Sequence, residues 1–441
     1  MCLINWYYKK VEGVRGLTVE TRKPIPVKEA IRKVMKFAEI GSNEEVLLPD
    51  SYGRYLAEDL IASHDVPPFH KSPYDGFAIR AIDSKEASQL NEIEFKVIDE
   101  IGAGFVTTKK VGPFEAVRIM TGAQMPYECD AVVMLELTKE YERDGKKYMS
   151  IKRSFRSGDN VSFQGEDTKK GTPLVEKGTR INPGVQALLA TFGYEKVRVS
   201  KKPLIGIFAT GTELLEVNEP LVPGKIRNSN AYMVQGQVIR SGATFRYFGK
   251  LNDQLDECFE AIKNALDEVD ILITTGGVSV GDYDYLPAIY ERLGANVLFN
   301  KIGMRPGSVT TVAELNGKLL FGLSGNPSAC YVGYELFVRP VVKTMLRSYT
   351  PYLQSVDAIL EEDFPKPNPF TRFVRGAATF KDGHLVVKTS GLDKSNVVTS
   401  LSGANVLIVL PGGTRGFTKG DKVTILLLEV EQGTNTLWAE K

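Results

Sequence analysis

Three short stretches carry the residue types that suit an anion site. They are ATGTELLE (Ala209 to Glu216), TTGGVSVGDYD (Thr274 to Asp284) and LSGNPSA (Leu323 to Ala329). Each sets glycine beside small polar side chains. The first has Gly211 and Thr212, the second Gly276, Gly277 and Ser279, and the third Ser324, Gly325, Asn326 and Ser328. Glycine lets backbone N–H groups approach a ligand closely, and a helix starting there adds a favourable dipole. The same stretches hold carboxylates: Glu213, Asp282 and Asp284. Carboxylates alone repel phosphate, so acids in such a site imply a bridging divalent cation such as Mg²⁺. Helix capping or turn formation explains such acids more plainly, and capping accounts in full for Asp253. Lys301 and Arg305, in NKIGMRPGS, offer positive charge, although Pro306 and Gly307 make that stretch an extended loop.

Other constellations are weaker. Asp75-Gly76 in HKSPYDGFAIR reads as a turn, Thr121-Gly122 as the end of the strand VRIM, and Glu166-Asp167 as an acidic loop. No G-x-x-x-x-G-K-[ST] occurs, which disfavours a P-loop nucleotidase. Gly277-Val278-Ser279-Val280-Gly281 matches a hydrolase elbow in letters only, with no histidine in a credible context after it. The four cysteines and three histidines are scattered, so neither a zinc site nor a Cys-His nucleophile pair is expected. Cys258 and Cys330 fall in apolar periodic runs and read as buried free thiols.

Lys plus Arg number 55 and Asp plus Glu 54, interspersed, so no basic stripe for nucleic acid forms. No run approaches the ~20 apolar residues of a membrane span. The opening MCLINWYY lacks the marks of a signal peptide, and a cytoplasmic location is expected.

The elements that must position these loops alternate from Lys202 onward. LIGIFAT, ATFRYFG, DILITT and KLLFGLS read as strands. Between and after them, helices are expected at AYMVQGQVIRSG, capped by Asn228-Ser229-Asn230, at the run following Asp253, and from Asn326-Pro327. Such alternation predicts an α/β layer whose ligands bind beyond the strands' carboxyl ends. Residues from about 55 to 200 and after 350 read as short strands punctuated by Gly and Pro, hence β-rich lobes and a small C-terminal barrel or sandwich.

Taken in order, RKPIPVKEA, SPYDGFAIR, RIMTGAQMP, DAVVMLE, GEDTKKGTPL, ATGTELLE, GKIRNSN, TTGGVSVGDYDYL, MRPGS, GLSGNP and NVLIVLPGG run through nearly the whole chain. Together they resemble the molybdopterin molybdenumtransferases, the family that includes bacterial MoeA and the gephyrin E domain. The resemblance implies a multidomain α/β plus β chain. Its central domain would be a MoaB/MogA-like three-layer α/β domain with a parallel-rich sheet, between β-rich N-terminal lobes and a C-terminal small β-barrel. The implied division is residues 20–50 with 160–200, 51–159, 201–347 and 348–441. It implies a homodimer acting on adenylylated molybdopterin and molybdate with Mg²⁺, supplied by a MogA/MoaB-like adenylyltransferase. Carried over by motif, the catalytic set is Asp75, Thr121, Asp167, Glu213, Asp253 and Asp284, of which Glu213, Asp253 and Asp284 would hold the metal. The loop residues named above, with Lys301, Arg305, Thr399 and Ser400, would bind substrate and oxyanion. Four positions depart from the family pattern: Asn228 for a carboxylate, Arg305 and Ser308 for lysines, and Ala329 for a serine. They keep open a tungstate-using homologue, or an altered paralogue that serves as a binding or scaffold protein. A CinA-like nucleotide-processing enzyme shares only the TGTELL and TGGVSVGDYD segments.

Overall fold

The computed structural model describes residues 23–251, 254–277, 285–367, 369–430 and 433–440. Two compact units emerge, one of residues 59–176 and 184–195, the other of the remaining described chain. Among the described residues, no helix is long and apolar enough to cross a membrane.

The smaller unit is built on six strands: β1 (Gly76–Ile79), β2 (Ile93–Ile101), β3 (Glu115–Ile119), β4 (Ala131–Met134), β5 (Thr138–Arg143) and β6 (Lys146–Ile151). Their order is β4-β1-β3-β2-β6-β5, with only β2 and β3 parallel. Alternate residues leave a strand on opposite faces. Phe77 and Ile79 therefore join Phe95, Val133 and Met149 in one core, while Ala78 joins Val117, Ile119 and Val132 in another. Helix Pro183–Thr191, in a stretch expected to be strand-rich, buries Val185 and Leu189.

In the larger unit, a sheet runs β8-β7-β9-β12-β11-β10. Its strands are β7 (Leu204–Thr210), β8 (Thr244–Leu251), β9 (Ile271–Thr275), β10 (Asn296–Phe299), β11 (Thr311–Leu315) and β12 (Lys318–Leu323). The first four in that order are mutually parallel, and β11 runs antiparallel to both of its neighbours, β12 and β10. Helices α1 (Asn230–Ser241), α2 (Leu255–Glu268), α3 (Leu286–Leu293), α4 (Pro327–Gly333) and α5 (Arg339–Met345) cover it. Ile205, Ile207, Ile271, Ile273 and Phe321 pack on one face against Val234 and Val238 of α1 and Val332 and Val341 of α4 and α5. Phe208, Leu272 and Leu320 pack on the other against Cys258 and Ile262 of α2 and Ile289 of α3. This three-layer arrangement explains the unbroken apolar strand runs. A π-helical turn, Tyr334–Val338, joins α4 to α5. It turns Glu335 inward, where Gln237 Nε2 donates to it at 2.7 Å and Arg240 of α1 pairs with it.

The last strands are β13 (Ser355–Leu360), β14 (Thr371–Lys381), β15 (His384–Thr389), β16 (Val406–Leu410) and β17 (Lys422–Leu427). They pair β14-β15-β13-β17-β16, and β16 returns to β14, closing a five-stranded barrel. Val374, Val387, Ile408 and Ile425 share its core. At the N-terminal side, helix Val27–Met35 buries Ala30, Ile31 and Val34, and strand Asn43–Leu47 pairs antiparallel with Lys196–Ser200.

Candidate functional site

A cavity of about 970 Å³ opens at the carboxyl ends of β7, β9 and β12. These strands are neighbours, so loops far apart in sequence converge there, as open α/β sheets require. Gly276, with φ +96°, folds against Thr210: a Cβ on it would lie 2.6 Å from the Thr210 carbonyl and 2.7 Å from its Oγ1. Its N–H donates to Leu323 O at 2.9 Å, while Thr210 Oγ1 donates to Thr275 O at 3.2 Å. A Cβ on Gly325 would come within 3.5 Å of the Gly276 Cα. At Gly211, φ +138°, a side chain would collide with the carboxylate of Glu213, which folds back over it.

The start of α1 forms a second wall. Asn228 Oδ1 accepts the Ala231 N–H at 3.1 Å, an N-cap bond. Asn228 Nδ2 donates to Tyr247 Oη at 2.9 Å, and Tyr247 donates to Glu216 at 3.0 Å. Burial, reinforced by the Glu216 carboxylate, pushes the Tyr247 hydroxyl well above the usual phenol range, so it remains a donor. Ser229 and Asn230 line the cavity, and Asn230 Nδ2 donates to Gly325 O at 2.8 Å. Among the described residues, Thr275 Oγ1 and Asn230 Oδ1 are buried without a hydrogen-bond partner. Leu251, Cys258, Leu286, Ile289 and Val309 supply an apolar side. The site thus pairs a polar, amide-rich end, suited to an anionic group, with an apolar wall suited to a flat ring.

In the smaller unit, one oxygen of Asp75 accepts both the N–H and the Oγ1–H of Thr121, each at 2.7 Å. The Thr121 N–H, then its hydroxyl, hold the Asp75 carboxyl below its ordinary range. A side chain at Gly76 would run into the Val133 carbonyl, so glycine there lets β1 lie against β4 and sets Asp75 at its rim. Asp167 is exposed on a loop whose backbone bonds to Val66 O at 3.0 Å.

Three family models match in order: the MoeA N-terminal region (domain I and II) at residues 25–193, a probable molybdopterin binding domain at 206–344, and the MoeA C-terminal region (domain IV) at 357–428. A molybdopterin molybdenumtransferase of Bacillus subtilis is 60% identical over 421 residues, covering 96% of this chain and 98% of the relative. The chain belongs to the molybdopterin molybdenumtransferase family. A Staphylococcus epidermidis member is 51% identical over 413 residues, 94% of this chain and 98% of its own. The solved molybdopterin biosynthesis MoeA protein of Pyrococcus horikoshii is 31% identical with a TM-score of 0.77, covering 92% of this chain and all (100%) of that one.

Of the residues carried over from the family, the structure gathers Gly211, Thr212, Glu213, Gly276, Gly277, Ser324, Gly325 and Asn326 around the cavity. It joins Asp75 to Thr121. Asp253, Ser279, Asp282 and Asp284 lie outside the described residues. Lys301 and Arg305 do not line the cavity; Lys301 O accepts from Ile25 N–H at 3.2 Å, and Arg305 pairs along Arg372 of β14. Ser328 is fully buried and bonds to the stretch around residue 396, while Ser400 is buried against Arg375 and Thr399 is exposed. Lining residues that the sequence reading did not single out as site residues include Arg227, Ser229, Asn230, Thr275, Asn396 and Val398. Arg227 belongs to the RNSN segment already noted as a family motif. Asn396 and Val398 carried no chemical signal.

Proposed function

We propose that the protein transfers molybdenum to molybdopterin. It acts on adenylylated molybdopterin and molybdate, cleaving the adenylate in the presence of a divalent cation such as Mg²⁺. The observation that carries this reading is the convergence of three glycine-rich strand ends and the α1 N-terminus on one cavity that also holds Glu213. Backbone N–H groups at Gly277 and Gly325 and the first turn of α1 hold the anionic part of the substrate, and the Leu286-Ile289-Val309 side holds its ring system. Among the described residues, no cluster of three or more candidate ligands forms, and Glu213 is the one acid lining the cavity. The described residues therefore do not by themselves make a metal site.

The reading extends to a cytoplasmic homodimer that receives its substrate from a MogA/MoaB-like adenylyltransferase. Asp75 and Thr121 take part in the same reaction.

The test is incubation with adenylylated molybdopterin, Mg²⁺ and molybdate, following AMP release and formation of active cofactor. Glu213→Ala is expected to slow AMP release by on the order of 10²-fold, the loss typical of a positioned acid–base group. Ligand binding without AMP release would favour the scaffold reading, and turnover with tungstate alone would reassign the oxyanion. Light scattering gives the dimer its own check, with a mass of one chain as the adverse result.

A further inference from the structure

Among the described residues that line the cavity, Arg227 is the one basic side chain, as Glu213 is the one acid. The backbone that carries Arg227 is held firmly. The two-residue strands Leu214–Leu215 and Ile226–Arg227 pair in parallel, with Leu215 opposite Arg227. Ile226 N–H donates to Glu213 O and Asn228 N–H to Leu215 O, each at 2.8 Å. Asn228, 1% exposed, is itself fixed by its bonds to Ala231 and Tyr247. From this base the Arg227 side chain reaches the exposed rim of the cavity. Among the described residues it forms no ion pair. Its Nη2 donates to the neutral carbonyl of Glu219 at 3.2 Å, which leaves the rest of the guanidinium fork free. Glu213 does not neutralise it, because that carboxylate folds back over Gly211. Two lysines are tied to the same loop: Lys225 Nζ donates to Thr212 O at 2.5 Å, and Lys250 Nζ donates to Leu214 O at 3.0 Å. Lys250 is paired with Glu219 at 3.7 Å, so Arg227 is the cation whose charge is left for the cavity.

We propose that Arg227 is the residue by which the site tells the adenylylated ligand from the free one: its guanidinium pairs with the phosphoryl group that adenylylation adds. The proposal rests on reading the cavity as the molybdopterin site. An adenylylated ligand carries two linked phosphoryl groups. The glycine-rich strand ends hold one, and the cavity, about 970 Å³, has room beyond it for the other. That second group must lie on a rim that also holds Glu213, and the repulsion between the two needs a cation to offset it. A guanidinium on an anchored backbone suits this task, because its planar fork matches two phosphate oxygens at once.

The test uses the full chain as wild type, Arg227→Ala and Arg227→Lys, each checked by thermal unfolding for an unchanged fold. Adenylylated molybdopterin and molybdopterin are titrated separately, without Mg²⁺ or molybdate so that the adenylate survives, at low and at high salt. AMP is then used as a competitor. In Arg227→Ala, the Kd of adenylylated molybdopterin is expected to rise about tenfold, with that of molybdopterin within about twofold. The affinity for AMP should fall with the first of these, and the salt sensitivity of adenylate binding should weaken. Arg227→Lys is expected to recover the salt sensitivity and only part of the affinity, since the charge returns without the fork. Equal losses for the two ligands would put the guanidinium on a part they share and overturn the proposal, as would unchanged affinity for both. Wild-type protein that binds neither ligand would overturn the functional reading beneath it, a result distinct from either of these.

Discussion

Asp75 takes two hydrogen bonds from a residue 46 positions away, and both favour its charged form. Its folded carboxyl therefore titrates below the ordinary 3.8. For a depressed acid, the linked stability is present above the unfolded value and is lost as pH falls through the lower folded one. Asp75 thus stays ionised across the neutral range, and an acid limb of activity near neutrality belongs to some other group. In Thr121→Val the hydroxyl donor goes and the backbone N–H remains, so Asp75 should titrate at higher pH than in wild type, read from carboxyl carbon shifts. An unchanged titration would deny the pairing. Gly276 makes a sharper case. Its positive φ and the 2.6 Å approach of the Thr210 carbonyl leave no room for a methyl group. Gly276→Ala is expected to cost about 1–2 kcal/mol for the backbone conformation alone, more with the clash, and to weaken ligand binding. Thermal unfolding and a binding titration measure the two effects separately.

At the scale of elements, much was legible. The strands β7, β8, β9 and β12 and the cap at Asn228 follow from apolar period and capping chemistry, because a parallel layer buried on both faces leaves an unbroken apolar run. The helix Pro183–Thr191 was not legible. Only Val185 and Leu189 are buried along it, so its apolar residues trace no clear stripe. The course of residues 391–398 was also hidden, since it is set by Arg375 on a distant strand together with Asp393. A charge at an inward position of FVRGAATF, with an aspartate a few residues past the next strand, was the available signal. Lys301 and Arg305 are near the glycine loops in sequence but are not among the residues that line the cavity. The π-helical turn supplies a stability prediction. Glu335, 2% exposed, faces Arg240, Arg339 and Gln237. Glu335→Ala strands Arg339, itself 5% exposed, and is expected to destabilise by about 3 kcal/mol, the lower end for breaking a buried pair. Urea unfolding of the larger unit tests it, and a loss under 1 kcal/mol would show that the charges were screened.

For the whole molecule, the division into two units predicts more than one unfolding event. Phe95 is fully buried in the smaller unit, and Phe95→Ala should cost about 3–5 kcal/mol there. Calorimetry is expected to show one transition lowered and the other in place; both moving together would mean that the units unfold as one.

The strand Asn43–Leu47 finds its partner only at Lys196–Ser200. On the ribosome, that early strand emerges long before its mate. In the interval most of the smaller unit leaves the exit tunnel, and once folded it replaces a long floppy loop by a short, stiff bridge, lowering the entropy of closure. Nascent chains stalled so that residue 195 has just left the tunnel should then already resist protease across residues 59–176 while their first strand is still waiting.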